Sequence, residues 1–295
     1  MIARNKSEAV GPSVDELMRL LDVTLDADGS ALGDTGALDT GGRRVVEGAQ
    51  IVGQAIVAVA KRLPDKTIRS AQAVFSRVVT VGEPVRLHID VVSDGTTTGT
   101  AVVTASQNGR RCMVITILAD TPARDLIRHQ IRCPTVAPPG RSSVCPMPMK
   151  GRQVRLVGID DAFDPWEVGP PEIRAWVCYD EAPHRDELRK ALIANFTGYL
   201  GIATSMRPHP GVGMSQAHTT LSTAPMTTAI VFHEPVRCDG WNLYSHESTY
   251  AGAGMSYVRG TVHTDENHLI ASFSQEALIR PVRTNGSGAT SNSRL

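Results

Sequence analysis

The strongest hydrophobic pattern in the chain lies between Gly48 and Leu63, where the sequence reads GAQIVGQAIVAVAKRL. Apolar side chains occur almost all round the helix that this segment predicts, which indicates a helix buried on every side. Pro64 follows directly and ends the helix, because proline cannot continue it. A helix this apolar needs a sheet wrapped around it. Upstream, the spacing of apolar residues predicts a short helix at 14–21, and the glycine-rich segment 29–44 is predicted as a loop.

The required sheet is predicted directly after the helix. Residues 85–91 alternate between apolar and polar side chains, which is the period of a half-buried strand. Segments 73–77, 100–106 and 111–119 predict three further strands, and Asn108-Gly109 is a strong signal for a hairpin turn between the last two. The first half is therefore predicted as a helix followed by four antiparallel strands.

The same order of elements recurs after a proline-rich stretch. Residues 121–165 contain seven prolines and little periodicity, which predicts an extended connector laid over the surface. Beyond it, the pattern predicts a strand at 173–179, a continuous helix at 185–206, and strands at 228–233, 241–249, 256–264 and 269–280. Corresponding landmarks are separated by 144 residues (Pro64 and Pro208) to 159 residues (Asn108 and Asn267). The chain is thus predicted to be α+β, with two tandem copies of one unit, each a long buried helix wrapped by a curled antiparallel sheet.

These periodicities give the predicted boundaries of the chain. The first unit spans 1–122, the connector 123–165 and the second unit 166–282. Residues 283–295 are rich in Gly, Ser, Thr and Asn and are predicted to form a disordered tail.

Composition and charge narrow the classes of function. Lys+Arg and Asp+Glu both number 30, so no overall field attracts nucleic acid. The most apolar stretch, 51–60, is too short to span a bilayer, so we expect no membrane insertion. Neither a secretory signal nor a CxxC pair is visible, and the five cysteines are expected to be free thiols in the cytoplasm. The histidines lack metal-ligand spacing and no GxSxG elbow occurs, so we expect neither a metal site nor a serine nucleophile.

Several spaced motifs carry a resemblance to a known family. Residues 47–55 read EGAQIVGQA and resemble the GGQxxGQAL signature of the TesB-like acyl-CoA thioesterase II family. Residues 232–235 (FHEP) and 241–248 (WNLYSHES) resemble its WFHRP and WLLYxxES blocks, and 271–276 (ASFSQE) resembles its ASxxQEG block. The blocks occur in the family's order over about residues 45–280. The resemblance implies a tandem double hotdog fold and hydrolysis of acyl-CoA thioesters to free fatty acid and CoA, without a cofactor.

The resemblance also implies a site, from which this sequence departs. Family members hold a water molecule with an Asp on the second helix, a Thr or Ser at the start of the next strand and a Gln near the C-terminus. Here the Asp position falls on Gly198 and the hydroxyl position on Pro225, while Gln275 is kept. A small shift of the alignment would bring Thr223, Thr227 or Thr228 into the hydroxyl role, but residues 194–202 contain no acid.

Replacement residues can be suggested for the missing groups. Asn195 lies one helical turn before Gly198 and can orient a water together with Gln275 and the hydroxyl of Thr227 or Thr228. The alternative is that Asn195 only forms hydrogen bonds in the interior. Gln54 is the first-copy counterpart of Gly198, and with Gly53 it is a candidate for substrate binding; the alternative is a packing role. Gly198 itself is a candidate substrate contact.

Two functions from different classes therefore remain open. One is an acyl-CoA thioesterase with an altered water-holding site, in which Gln275 is catalytic. The other is a catalytically silent module that binds acyl-CoA or an acyl carrier. A hotdog hydratase ranks last, because it needs an acid that the second helix lacks. Edge strands of an open sheet lead us to expect a homo-oligomer.

Overall fold

A computed structural model describes residues 13–36, 43–147 and 149–282. Its central feature is one antiparallel sheet of twelve strands, which curls around two helices that pack against each other. The predicted tail and part of the loop at 29–44 lie outside the described residues. Among the helices of the described part, none is long and apolar enough to cross a membrane.

The first half contains the elements that the hydrophobic pattern predicts, with one addition. Its helices are α1 (Val14–Leu21) and α2 (Gly48–Arg62), and its strands are β1 (Ala31–Gly33), β2 (Thr67–Phe75), β3 (Val85–Asp94), β4 (Thr98–Gln107) and β5 (Arg110–Asp120). Strand β1 lies within the segment predicted as loop; it is only three residues long and pairs with β3. All residues of α2 from Ala49 to Val59 are buried, as its apolar surface predicts.

The second half repeats this arrangement after the connector. It contains β8 (Glu172–Tyr179), α3 (Asp186–Thr197), α4 (Gly201–Met206), β9 (Leu221–Phe232), β10 (Asn242–Gly252), β11 (Met255–Thr264) and β12 (Leu269–Pro281). The prediction of one continuous helix over 185–206 is wrong. The chain leaves the helix after Thr197 and re-enters it at Gly201, and Leu200 between them has a left-handed backbone with φ of 66°.

The connector is more regular than its prolines predict. It forms two short strands, β6 (Ser143–Val144) and β7 (Arg152–Leu156). Strand β7 pairs with β8 from Arg152 opposite Tyr179 to Leu156 opposite Ala175. The end of the connector therefore belongs to the second half's sheet and is not only a surface linker.

The two halves join edge to edge. The strand order is β1-β3-β4-β5-β2-β9-β12-β11-β10-β8-β7-β6, so β2 and β9, the first strands after each long helix, form the junction. Their pairing runs from Ser70 opposite Val231 to Val74 opposite Thr227, and we call it the seam. Each half places its strands in the same order outward from the seam, which confirms the predicted tandem hotdog fold.

Candidate active site

A pocket of about 250 Å³ opens where the two halves meet. Most of its lining comes from residues within 45–48 at the start of α2, 75–79 from the end of β2 onward, 198–203 at the break between α3 and α4, and 223–226 at the start of β9. Most of the lining side chains are apolar, including Phe75, Met113 and Leu200. Pockets of this kind, apolar with few polar groups, are typical of sites for small molecules.

The helix break places Gly198 in the wall of this pocket. Pro225 and Thr223 lie in the wall as well, since β9 begins beside the break. A Cβ atom on Gly198 would lie 2.7 Å from the Cβ of Ala49 on α2, so the methyl group of Ala49 occupies the space beside Gly198. Gly198 and Pro225, to which the sequence resemblance assigns the Asp and Thr positions, are thus in the pocket, and they carry no carboxylate and no hydroxyl.

One carboxylate does reach the pocket. Among the described lining residues, Glu47 is the only acid, and it is the N-terminal capping residue of α2. Its side chain makes no hydrogen bond to the helix end. The carboxylate is open to the pocket space but surrounded by protein, and this burial raises the pKa of Glu47 above 4.5, against the opposing charge of Arg43.

The other ionisable groups of the pocket come from four separate segments. Arg43 contacts Nε2 of His218 at 2.7 Å, and Arg77 donates to the backbone carbonyl of Arg111 at 3.0 Å. Burial and the nearby charge of Glu47 raise the pKa of Tyr199, while the Arg152 cation behind its ring lowers it. The pocket therefore combines one acid with two arginines.

Gln275 is buried in β12 and faces Thr228 across the β9 pairing. Its Oε1 atom has no hydrogen-bond partner and lies against Gly201, the first residue of α4, where a side chain would collide with it. The hydroxyl of Thr228 donates to the Ser274 carbonyl at 3.4 Å. An unpartnered buried amide oxygen is costly, so a water or ligand group is expected to use it.

Thr227 takes no part in this arrangement. Its hydroxyl donates to Oε2 of Glu276 at 2.9 Å, and because successive strand residues point to opposite faces, this pair lies on the other face from Gln275. Asn195 is buried with Oδ1 unpartnered, and no hydrogen bond in the described part of the chain joins it to Gln275. Asn195, Gln275 and Thr228 all lie outside the pocket lining. The structure thus places Thr228 opposite Gln275 and turns Thr227 to the other face of the sheet.

Gln54 and Gly53 have packing contacts instead of pocket positions. The amide of Gln54 donates to the backbone carbonyls of Leu20 at 2.8 Å and Asp34 at 2.7 Å. Gly53 lies where α2 meets α3, and a Cβ atom there would stand 2.6 Å from Leu21 and 3.3 Å from the carbonyl oxygen of Ala191. Neither residue lines the pocket, so the packing alternative describes their surroundings.

Comparison with known protein families identifies the family to which this chain belongs. The family model of the acyl-CoA thioesterase N-terminal domain matches residues 37–119, and that of the acyl-CoA thioesterase C-terminal domain matches residues 132–279. The chain belongs to the acyl-CoA thioesterase family. It is 24% identical over 259 residues to acyl-CoA thioesterase 2 of Haemophilus influenzae, covering 81% of this chain and 89% of that protein. Human acyl-coenzyme A thioesterase 8 is 25% identical over 259 residues, covering 79% of this chain and 80% of that protein.

Several solved structures have the same fold as this chain. The tesB protein of Mycobacterium avium subspecies paratuberculosis superposes with a TM-score of 0.76 at 17% identity, covering 91% of this chain and all (100%) of that one. The acyl-CoA thioesterase II TesB2 of Mycobacterium marinum gives 0.75 at 22% identity, covering 90% and 98%. A hot dog fold protein of Alicyclobacillus acidocaldarius gives 0.71 at 17% identity, covering 90% and 97%. In the part of this chain that the structure describes, no group of three or more acidic, His or Cys residues is placed to hold a metal ion.

The candidate site contains two groups that the sequence did not single out. Glu47 stands inside the EGAQIVGQA stretch, but in a position where the family signature prescribes no residue type. Tyr199 lies at the helix break, which the continuous helix prediction concealed. The available signal was an acid placed directly before an otherwise apolar helix.

Proposed function

We propose that this protein hydrolyses acyl-CoA thioesters to a free acid and CoA, and that the pocket holds the acyl group and the thioester. The observation that carries the proposal is that Gly198 and Pro225, which match the family's water-holding positions, lie together in the wall of one apolar pocket. Arg77 is an exposed lining residue, so its charge is available to the phosphates of CoA at the solvent side.

The direct test is thiol release from acyl-CoAs of graded chain length by the purified protein. We expect release above background for at least one chain length, with equal amounts of free acid formed. No release at any length would remove the hydrolase proposal.

Gln275 is the residue that we expect to orient the attacking water or to donate to the thioester oxygen. Gln275→Ala removes one positioned amide, and loss of one such group typically lowers kcat by about tenfold or more. Gln72→Ala on the exposed side of β2 is the matched control and should leave kcat unchanged. Equal activity of the two variants would remove Gln275 from the mechanism.

The second candidate function is binding of acyl-CoA without turnover. It is favoured by the absence of a carboxylate and a hydroxyl at Gly198 and Pro225, and by the Ala49 methyl group that occupies the adjoining space. Calorimetry with an acyl-CoA distinguishes the two functions. Micromolar binding without thiol release supports the binding module, whereas release supports the hydrolase.

The expected compartment and assembly are proposals as well. The five cysteines all have free thiols, which supports the reducing cytoplasm as the site of action. We propose a homo-oligomer, because the sheet is open and has two edges. These edges are formed by β1 and β6, which are only three and two residues long. Light scattering of the purified protein tests this, because a mass near the 31.6 kDa of one chain would contradict it.

A further inference from the structure

Two side chains of the described lining, His218 and Glu47, are of a type that can accept a proton from water at the thioester. Nε2 of His218 lies 2.7 Å from the Arg43 guanidinium, which can only donate, so the lone pair of this imidazole is already used. Gly198, Pro225 and Thr223 carry no base, and the amides of Asn195 and Gln275, outside the lining, cannot take a proton. This leaves the carboxylate of Glu47.

The fold holds Glu47 at the pocket through its backbone. The Glu47 carbonyl accepts the first hydrogen bond of α2 from the Gln50 amide at 2.9 Å, and Gly48 behind it is packed against the ring of Phe75. Two residues further on, Ala49 touches Gly198. The start of α2 is therefore fixed directly opposite the break between α3 and α4.

The Glu47 side chain is not used for structure. It makes no helix-capping hydrogen bond, and no hydrogen bond or ion pair of its carboxylate is found in the described part of the chain. Other acids among the described residues have such a partner, for example Asp22 with Lys61 and Asp120 with Arg69. A carboxylate that lines a pocket and has no structural partner is a candidate for a functional role.

We propose that Glu47 is the general base of thioester hydrolysis in this protein. The inference rests on the proposed function and names the group that performs its proton transfer. Glu47, at the start of α2, thus supplies the carboxylate that position 198, directly after α3, lacks.

The reaction balances with the groups present. The Glu47 carboxylate takes one proton from a water molecule while the water oxygen forms a bond to the thioester carbon, giving a tetrahedral intermediate. The intermediate collapses, the C–S bond breaks, and the sulfur leaves as the thiolate of CoA. The proton held by Glu47 then passes to that thiolate, so water and acyl-CoA become a carboxylic acid and CoA thiol, and the carboxylate is regenerated.

The surroundings of Glu47 suit this role. Arg43 precedes α2, Arg77 follows β2, Tyr199 lies in the helix break and His218 precedes β9, and all four line the same pocket. Burial raises the pKa of Glu47, and a base whose pKa lies nearer the working pH is a better proton acceptor than an ordinary glutamate. The charge of Arg43 opposes this rise in pKa and favours the ionised form of the carboxylate.

The test is the Glu47→Gln variant, which keeps the shape of the side chain and removes its basicity. We expect kcat to fall by at least about 100-fold, since a positioned base typically contributes 10²–10⁴. Binding of a non-hydrolysable acyl-CoA thioether, measured by calorimetry, should be retained. Glu181→Gln, an exposed glutamate on the surface, is the matched control and should leave kcat unchanged.

The pH profile separates a base from a packing residue. In the wild type, kcat/KM should fall with acid along a limb whose midpoint lies above the ordinary glutamate pKa of 4.5, because protonated Glu47 cannot accept a proton. This limb should persist in Glu47→Asp and be absent from the residual activity of Glu47→Gln.

Each outcome is decisive for one proposal. Wild-type turnover that survives Glu47→Gln with an unchanged acid limb overturns the role of Glu47 and leaves the hydrolase proposal intact. Absence of turnover in the wild type overturns the hydrolase proposal itself and the role of Glu47 with it. If Glu47→Gln loses both binding and helical circular dichroism, it has not folded, and Glu47→Ala becomes the test. Full activity of Glu47→Ala would then also overturn the role of Glu47.

Discussion

The contact between Ala49 and Gly198 ties two unusual residues together. The sequence resemblance aligns Ala49 with the second glycine of the GGQxxGQAL signature and Gly198 with the Asp that it implies for the second helix. The ideal Cβ of residue 198 falls 2.7 Å from the Ala49 methyl carbon, a separation that packed side chains do not tolerate. The methyl group on α2 therefore requires a glycine directly after α3.

This coupling is measurable in a double-mutant cycle. Gly198→Asp alone should lower the free energy of unfolding by about 1–3 kcal/mol, because overpacking forces the two helices apart. The same change in an Ala49→Gly background should cost less, since the collision is gone. Urea unfolding of the four proteins gives the coupling energy, and additive costs would show that the two positions are independent.

The residues of the site were only partly predictable. Gln275 and Gly198 follow from ordered motifs, and the structure places both beside the helix break. The hydroxyl partner was ambiguous, because Thr223, Thr227 and Thr228 lie in one strand and a bulge between Glu276 and Ala277 decides which side chains face which way. For Glu47, the sequence offered only an acid before an apolar helix, and this signal does not reveal the pocket, whose lining comes from segments distant in sequence.

At the scale of secondary-structure elements, the predictions differ in outcome at the turns, where one hairpin was predicted and one helix break was not. Asn108-Gly109 predicts a hairpin, and both residues have the positive φ angles, 52° and 73°, that such a turn needs. The break before α4 uses Leu200 at a φ of 66°, a residue type that rarely adopts this conformation. Because Leu200 is buried, packing of its side chain compensates for the backbone strain, and no local sequence signal announces the turn.

The hairpin turn offers a clean test of this backbone argument. A Cβ atom at Gly109 would meet nothing within 4 Å, so Gly109→Ala adds only the cost of a left-handed alanine. We expect a loss of about 1 kcal/mol in the free energy of unfolding. Gly140→Ala is the matched control, because the space there is equally open and φ is not positive, so it should be neutral or slightly stabilising. Equal effects of the two changes would contradict the argument.

Strand β7 shows a different limit of sequence patterns. Its five residues, RQVRL, are short and include two arginines, and prolines precede them on the chain. What makes this segment a strand is the free edge of β8, to which it pairs. Partners distant in sequence determine such elements, and periodicity within the segment cannot reveal them.

At the scale of the whole molecule, the seam makes the two halves one folding unit. Strands β2 and β9 share backbone hydrogen bonds, and α2 packs along α3 through Gly53. Separation would leave a bare strand edge and an exposed apolar helix in each half. The duplication was predictable from the repeated order of elements, but the edge-to-edge junction was not.

We therefore expect the halves to unfold together. The three tryptophans, Trp166, Trp176 and Trp241, all lie in the connector and second half, so their fluorescence reports on that part alone. Far-ultraviolet circular dichroism reports on both halves. Urea unfolding followed by the two signals should give coincident midpoints. A second step visible only in circular dichroism would show that the first half unfolds independently.

Covalent duplication lets equivalent positions evolve in different directions. With the offset of 144 residues between Pro64 and Pro208, Gln54 and Gly198 are the same helix position in the two copies. In the first copy, the amide donates to the backbone carbonyls of Leu20 and Asp34. In the second copy, the glycine lies in the pocket wall and leaves room for the methyl group of Ala49. A symmetric homodimer repeats each substitution in both subunits, so one residue type cannot fill both roles at once. Because the two copies are fused in one chain, the helix position in the first copy can keep a structural role while the equivalent position in the second copy changes at the pocket.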